Sequence, residues 1–231
     1  MAITIGRRPA PVAPDLVDRL RALAYPTIGH YLEEGFLDTG IRRLVGQGKV
    51  AGRAVTVRTT PTDSSNLHHV VSDLEPGDVL LVDTGGDRRH APLGEVVTEA
   101  IRARGAAAVV VDGVCTDIDE LRRIGLPVYA RGTSLLTTKL EDTGVGSIYQ
   151  PIVCGGQHVL TGDIVLADEN GVLVASAETL QRLVKTVEVD DEEEPALIDA
   201  IRAGARLGDL TGATANIERH SVFRSDLDSE N

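Results

Sequence analysis

The sequence predicts an α/β fold of layered sheets flanked by helices, and three stretches carry that prediction. Residues 79–111 read as a buried strand, a Gly-rich loop, a helix and a second buried strand, which is the order of a right-handed βαβ unit. Residues 151–176 hold short apolar runs separated by turn residues, with Asn170-Gly171 joining the last two as a hairpin signal. Residues 14–35 and 177–205 have the spacing of helices.

Taken in order, DLVDRLRAL and PTIGHYLEEG form two helical segments, the second opened by Pro26 and ended by Gly35. Lys49–Ala51 and Ala54–Arg58 follow as strands, the second alternating like a half-buried one. Asn66 to Leu74 is helical, and Glu75-Pro76-Gly77-Asp78 is a turn. Val79–Asp83 is a buried strand, Thr84 to Gly94 the loop, VVTEAIRAR a helix closed by Gly105, and Ala107–Val111 the next strand. A short helix over Asp117–Arg123 stops at Gly125, and Pro127–Ala130 is a third strand. Gly77–Asp83 is echoed by Gly162–Asp168, and two Gly-Asp turns feeding buried strands point to paired sheets and away from a doubly wound nucleotide fold. The helix after residue 177 is expected to be interrupted by the acidic run Asp190 to Glu194. The organisation is thus a helical segment over 1–35, an α/β core over 36–180, and a helical extension with a polar tail over 181–231.

The chain has 231 residues, enough for one well-packed domain with a tail. Lys and Arg number 23 against 35 Asp and Glu, a net charge of −12, which disfavours a nucleic-acid backbone as partner. Aromatic residues make up 3%, which also removes the stacking platforms that single strands need. No apolar run approaches the ~18 residues of a membrane span, and the start lacks the apolar core of a secretory signal. A cytoplasmic protein is expected, with Cys115 and Cys154 reduced.

Two loops can carry chemistry. The first, DTGGDRRHAPLGE, leaves the C-terminal end of one parallel strand and enters a helix N-terminus, where open α/β sheets place ligands. The first helical amides, near Leu93, Gly94, Glu95 and Val96, have no intrahelical partners and can receive an anion. The second loop, Asp112 to Glu120, lies beside the first in a βαβ unit, so Asp117 can face Gly94 and Glu95. A carboxylate there suits Mg²⁺, directly or through waters. The same residues also suit a helix N-cap at Thr116 or Asp117 with Glu120 as capping-box partner. Arg89 and His90 are candidates to point a donor into the site, His90 as acid or base; Arg88 and Arg89 fit equally a solvated surface or subunit salt bridges. Asp63, Ser64, His68 and His69 form a second polar cluster, in which the two histidines face about 100° apart on a helix. Cys115 precedes Thr116, but no His or Asn at a recognisable spacing supports a thiol nucleophile.

The blocks PTIGHYLEEG, VAGRAVTVR, PGDVLLVD and CGGQHVLTGDIVLADENGV, together with the two loops, resemble the family that includes class II 4-hydroxy-4-methyl-2-oxoglutarate aldolases and the regulator of ribonuclease activity A. Its signature is an acidic residue or Gly, twenty residues, Arg-Asp, two residues, then Asp or Glu; here Glu95 is followed by twenty residues, Thr116-Asp117, Ile118-Asp119 and Glu120. The resemblance covers roughly residues 15 to 180. It implies a swivelling β/β/α domain, a homotrimer or dimer of trimers with sites between subunits, and a small oxo acid as substrate. It also implies Mg²⁺ or Mn²⁺ on Asp117, metal-bound water near Glu95, and substrate oxygens on the amides about Gly94. Retro-aldol cleavage or decarboxylation through an enolate is the chemistry implied, with the metal as Lewis acid. In this family a C-terminal acidic residue from a neighbouring subunit can also approach the metal. The motif Arg is Thr116 in this chain, and a short neutral side chain cannot replace a bidentate guanidinium. An altered substrate or reaction is one consequence; a non-catalytic regulator that binds a protein partner is the other reading.

Overall fold

A computed structural model describes residues 2–221 and divides the chain into two compact units, parted between Lys185 and Thr186. The first unit contains both the N-terminal helical segment and the α/β core.

In chain order the elements of that unit begin with β1 (Thr4–Ile5), α1 (Pro14–Ala22), α2 (Tyr25–Ile28), β2 (Arg42–Val45), β3 (Val50–Arg58) and α3 (Ser65–Val71). They continue with β4 (Asp78–Asp83), α4 (Glu95–Ala103), β5 (Ala108–Cys115), α5 (Ile118–Ile124), β6 (Val128–Thr133) and β7 (Ser147–Ile148). The closing β-structure is β8 (Ile152–Cys154), β9 (Gln157–Val159), β10 (Ile164–Ala167) and β11 (Val172–Ala175). Helix α6 (Ala177–Arg202) follows, and the second unit also holds α7 (Leu207–Leu210) and α8 (Ala213–His220).

The central run β3-β4-β5-β6 is parallel, with Val55 opposite Leu80, Leu80 opposite Val109, and Val110 opposite Tyr129. At the far edge of β3 the chain pairs antiparallel twice, with β10 along Val50–Arg53 and with β7 at Val57–Arg58. The two echoed segments therefore lie on opposite edges of one strand, β4 on one side and β10 on the other.

Alternation along these strands divides the core in two. Val55, Val57, Leu80, Val82, Val109 and Val111 face one way, onto Leu67, Val70, Ile101 and Leu121 of α3, α4 and α5. Ala54, Val79, Leu81, Ala108 and Val110 face the other way, onto Ile152, Cys154 and Val159 of the β8–β9 hairpin and Val165, Ala167, Val172 and Val174 of β10 and β11. Helices cover one face and β-structure the other. This is the expected layered β/β/α architecture, with Ala167 opposite Val172 in the hairpin that Asn170-Gly171 turns.

Four local expectations need correction. The second N-terminal helix is only one turn, ending at Ile28 with Gly29 as its C-cap; glycine is a poor helix residue, and Gly35 lies well beyond that end. The strands expected at 49–51 and 54–58 are one strand, because Gly52 is a close approach and not a break: a Cβ there would stand 2.2 Å from the Gly77 carbonyl oxygen. The strand expected to end at Val111 shifts register between Val111 and Val114 and runs on to Cys115. Helix α6 passes unbroken through Asp190–Glu194 and Pro195, with Asp190 and Asp191 half-buried and Glu192–Glu194 exposed, since acidic side chains do not by themselves break a helix.

The polar cluster at Asp63 is structural. Its buried carboxylate accepts hydrogen bonds from Ser65 N at 3.0 Å and Ser65 Oγ at 2.6 Å on one oxygen, and from Thr143 N at 2.6 Å and Thr143 Oγ1 at 3.0 Å on the other. The Ser65 hydroxyl, then the backbone and Thr143 donors, hold its pKa down from the ordinary 3.8 to about 2 against the effect of burial. A lowered acid pKa stabilises the fold fully above pH ~4, and that contribution fades as pH falls toward 2. Asp63→Ala should cost about 2–3 kcal/mol at neutral pH. The difference from the parent chain should shrink on acidification, as read by denaturant titration at a series of pH values. His68 and His69 are both exposed.

Candidate metal and substrate site

The βαβ unit brings the two motif loops together at the C-terminal ends of β4 and β5. Leu93 pairs with Cys115 as an isolated parallel bridge, and Thr116 N donates to Leu93 O at 2.9 Å. Further along, Ala91 N donates to Leu136 O at 2.8 Å, Ser134 N to Cys115 O at 2.9 Å, and Ser134 Oγ to Arg89 O at 2.6 Å. The Gly-rich loop is thus fastened along one side to the end of β5 and along the other to the segment after β6.

Asp117 takes up the centre of this arrangement in a left-handed backbone conformation, φ 54°. It stands at the N-cap position of α5 but makes no side-chain cap bond there. Instead Oδ2 accepts the Glu95 backbone N–H at 2.9 Å, so the carboxylate caps α4, the neighbouring helix. Thr116 Oγ1 donates to Asp117 Oδ1 at 3.2 Å. The capping-box alternative is not formed: Glu120 pairs with Arg123 at 2.6 Å. Gly94, extended at φ −140°, makes the approach possible. A Cβ at Gly94 would lie 2.4 Å from Asp117 Oδ2 and 2.9 Å from Thr116 Cγ2. Its carbonyl accepts Thr98 N at 3.0 Å and Thr98 Oγ1 at 2.8 Å, which anchors the first turn of α4.

Of the amides near Leu93, Gly94, Glu95 and Val96 that were expected to receive an anion, one is engaged within the chain. The Glu95 amide is already taken by Asp117, because a carboxylate of the chain itself occupies the helix end. Leu93 is fully buried, and the side chains of Glu95 and Val96 are exposed.

On the same loop His90 Nδ1 lies 2.7 Å from Asp87 Oδ2, and the backbone N–H groups of Arg89 and His90 also donate to Asp87. These contacts hold the Asp87 carboxyl below its ordinary range although burial pushes the other way. Arg88 and Arg89 are exposed. Cys115 is packed: burial raises its thiol to about 11, and Sγ faces Gly132 O at 3.7 Å, which removes it as a nucleophile at neutral pH.

Sequence reading missed a further polar assembly at this end of the sheet. Asp112 binds Arg131 through Oδ1 and the Gly155 amide through Oδ2, and Arg131 in turn pairs with Asp38. Asp112 was visible in the loop, but its partners come from chain segments remote in sequence, and no spacing announces them.

The chain belongs to the RraA-like (Aldolase/RraA) family, whose profile matches residues 13–174. A protein of Halalkalibacterium halodurans is 33% identical over 171 residues, covering 72% of this chain and 80% of that one. A protein of Hahella chejuensis is 34% identical over 164 residues, covering 71% and 92%. Both bear the name "Putative 4-hydroxy-4-methyl-2-oxoglutarate aldolase". Among solved structures, RraAS2 of Streptomyces coelicolor, described as an unusual member of the RNase ES inhibitor RraA family, superposes with a TM-score of 0.70 at 25% identity, covering 82% of this chain and 98% of that one. The RNA-processing inhibitor RraA of Thermus thermophilis superposes with a TM-score of 0.60 at 31% identity, covering 66% and 92%. No helix among the described residues is long and apolar enough to cross a membrane.

Proposed function

We propose that the protein is a divalent-metal-dependent lyase that cleaves or decarboxylates a small oxo acid at Asp117. The observation that carries the reading is the placement of this exposed carboxylate, fixed by the Glu95 amide at the end of two parallel strands. Aldolase names among the relatives support the same chemistry.

The donor set suits one kind of metal site. Among the described residues no group of three His, Cys, Asp or Glu could form an all-protein cage. A carboxylate offers about four lone-pair sites, and among the described residues only the Glu95 amide and the Thr116 hydroxyl draw on those of Asp117. That fits Mg²⁺ or Mn²⁺ held by one carboxylate, waters and substrate oxygens. Bound there, the ion would supply Lewis-acid stabilisation of the charge that develops on the oxo oxygen as the neighbouring carbon–carbon bond breaks.

The chain's own residues do the rest. Glu95 keeps Asp117 oriented through its amide and presents a second carboxylate to water at the same helix end. Asp87 holds the His90 ring through Nδ1, which leaves Nε2 as the atom that exchanges a proton with solvent or substrate. Thr116 contributes a hydroxyl where the family motif has a guanidinium, and Arg89 is the nearby loop cation available to a substrate carboxylate. A homotrimer or dimer of trimers would complete the site.

The test is pyruvate release from oxaloacetate and from 4-hydroxy-4-methyl-2-oxoglutarate by metal-free protein, with Mg²⁺ or Mn²⁺ added back. Metal-dependent release is expected, and Thr116→Arg should raise kcat/KM by about tenfold or more by supplying a bidentate carboxylate contact. Absence of release in both proteins, with no metal bound, would overturn the reading. The Thr116 replacement and the likeness to RNase-inhibitor structures would then favour a protein-binding regulator.

A further inference from the structure

One buried threonine ties the Gly-rich loop to the sheet. Thr84 follows β4 directly and is 4% exposed. Its hydroxyl donates to Asp112 O at 2.7 Å and to Asp87 O at 3.0 Å, one proton shared between two carbonyls. Asp112 lies on β5, at the point where its register with β6 shifts. Asp87 lies on the loop that carries Arg89 and His90. The hydroxyl therefore joins a strand to the loop that leaves the neighbouring strand.

Asp87 has little else to fix its backbone. Its N–H donates to Thr84 O at 3.4 Å and its carbonyl accepts from the Thr84 hydroxyl, and among the described residues no other hydrogen bond reaches either group. Gly85 and Gly86, between the two residues, both have left-handed backbones, φ 67° and 84°. Glycine has the most conformational freedom to lose, so this turn depends on the bonds at its ends. The Gly85 N–H donates to Asp83 Oδ1 at 2.6 Å, which secures the start of the turn and leaves Asp87 to Thr84. Strand β5 makes room for the bridge: a Cβ on Gly113 would stand 2.8 Å from Thr84 Cγ2, 3.0 Å from Thr84 Oγ1 and 3.1 Å from Asp87 O.

The bridge holds a carboxylate that in turn holds an imidazole. Asp87 accepts from the backbone N–H groups of Arg89 and His90, and its Oδ2 lies 2.7 Å from His90 Nδ1. An ionised carboxylate can only accept, so the proton at that contact sits on Nδ1 and the neutral ring keeps its lone pair on Nε2. We propose that Thr84 is a positioning residue for His90: by bridging Asp112 and Asp87 it fixes the carboxylate that selects the Nδ1–H tautomer and aims Nε2. The inference rests on the proton-carrying role proposed for His90, and Thr84 acts only through Asp87.

The test reads the tautomer directly, from imidazole nitrogen chemical shifts of the full, metal-free chain at a pH where the ring is neutral, with His90→Gln identifying the signals. The parent should show His90 protonated on Nδ1. In Thr84→Val, which keeps the side chain's shape without the hydroxyl, the ratio of Nδ1–H to Nε2–H should fall at least about threefold, the worth of a modest hydrogen bond. Thr84→Ser should return the parent ratio. Turnover of oxaloacetate should follow, with kcat lowered about tenfold or more in Thr84→Val at a KM close to the parent's, and recovered in Thr84→Ser. Where Thr84→Val does not fold, as judged by circular dichroism, Thr84→Ala removes the same hydroxyl without setting a methyl against the two carbonyls. An Nε2–H tautomer in the parent, an unchanged ratio in the folded variant lacking the hydroxyl, or a ratio that Thr84→Ser fails to restore would each overturn the assignment. Absence of turnover in the parent would count against the lyase reading alone, since the tautomer is read without substrate.

Discussion

Asp117→Ala is expected to abolish metal-dependent pyruvate release, by at least about a hundredfold in kcat/KM, while leaving the fold intact. Asp117 is exposed and contributes no apolar contact to either core cluster. Its one bond to another element among the described residues, from the Glu95 amide, lies at a solvent-facing helix end where water can replace the carboxylate. Loss of that cap should cost about 1 kcal/mol of stability, a shift of a few degrees in melting temperature at most. The functional cost is of another order. Removing groups that merely orient metal ligands weakens metal binding about 10–100-fold, and Asp117 is itself the proposed ligand. Asp117→Asn separates charge from shape: it keeps an oxygen for the Glu95 amide but loses the negative charge, so it should melt like the parent and still fail to bind Mn²⁺ by electron paramagnetic resonance titration. Parent-like activity in either variant would place the chemistry elsewhere.

The parts of this architecture that follow from local rules were legible in the sequence. The βαβ unit over 79–111, the Asn170-Gly171 hairpin and the turn at Glu75–Asp78 each depend on residues close together in the chain, and each stands where it was expected, except that the second strand of the βαβ unit runs on to Cys115. Gly52 misled because the reason for it lies elsewhere: the Gly77 carbonyl presses on its α-carbon from the neighbouring strand. Asp117 presents a similar case at the site. Residue types allowed it to be a metal ligand or the N-cap of its own helix, and the structure gives it a third position, as the cap of α4, twenty-two residues away in sequence. Its left-handed backbone turns the carboxylate across to Glu95, and no spacing rule predicts that rotation. The Asp38–Arg131–Asp112 chain was illegible for the same reason, since it joins three segments that only the folded sheet brings together.

Gly94→Ala should reproduce most of the functional loss without touching any ionisable group. The backbone at Gly94 is extended, a conformation open to alanine, so strain in φ and ψ plays no part. The obstacle is space: the added methyl would stand 2.4 Å from Asp117 Oδ2 and 2.9 Å from Thr116 Cγ2. Something must move, and it is Asp117 that can. The Gly94 backbone is held by the two bonds from Thr98 and by the adjacent hydrogen bond from Thr116 N to Leu93 O, whereas the Asp117 side chain is exposed and tied only by the Glu95 amide and the adjacent Thr116 hydroxyl among the described residues. The carboxylate should therefore swing off the helix end, breaking the Glu95 bond and losing the position that defines the proposed metal site. Activity and Mn²⁺ affinity are expected to fall at least about tenfold, and more if the displaced carboxylate cannot reach the ion by another rotamer. Stability should change by about 1 kcal/mol. Thr116→Ser removes the methyl involved in the lesser clash but leaves the contact with Oδ2, so Gly94→Ala/Thr116→Ser should remain impaired. Recovery of parent activity in that double variant would show that the methyl of Thr116, and not the carboxylate, is what Gly94 makes room for.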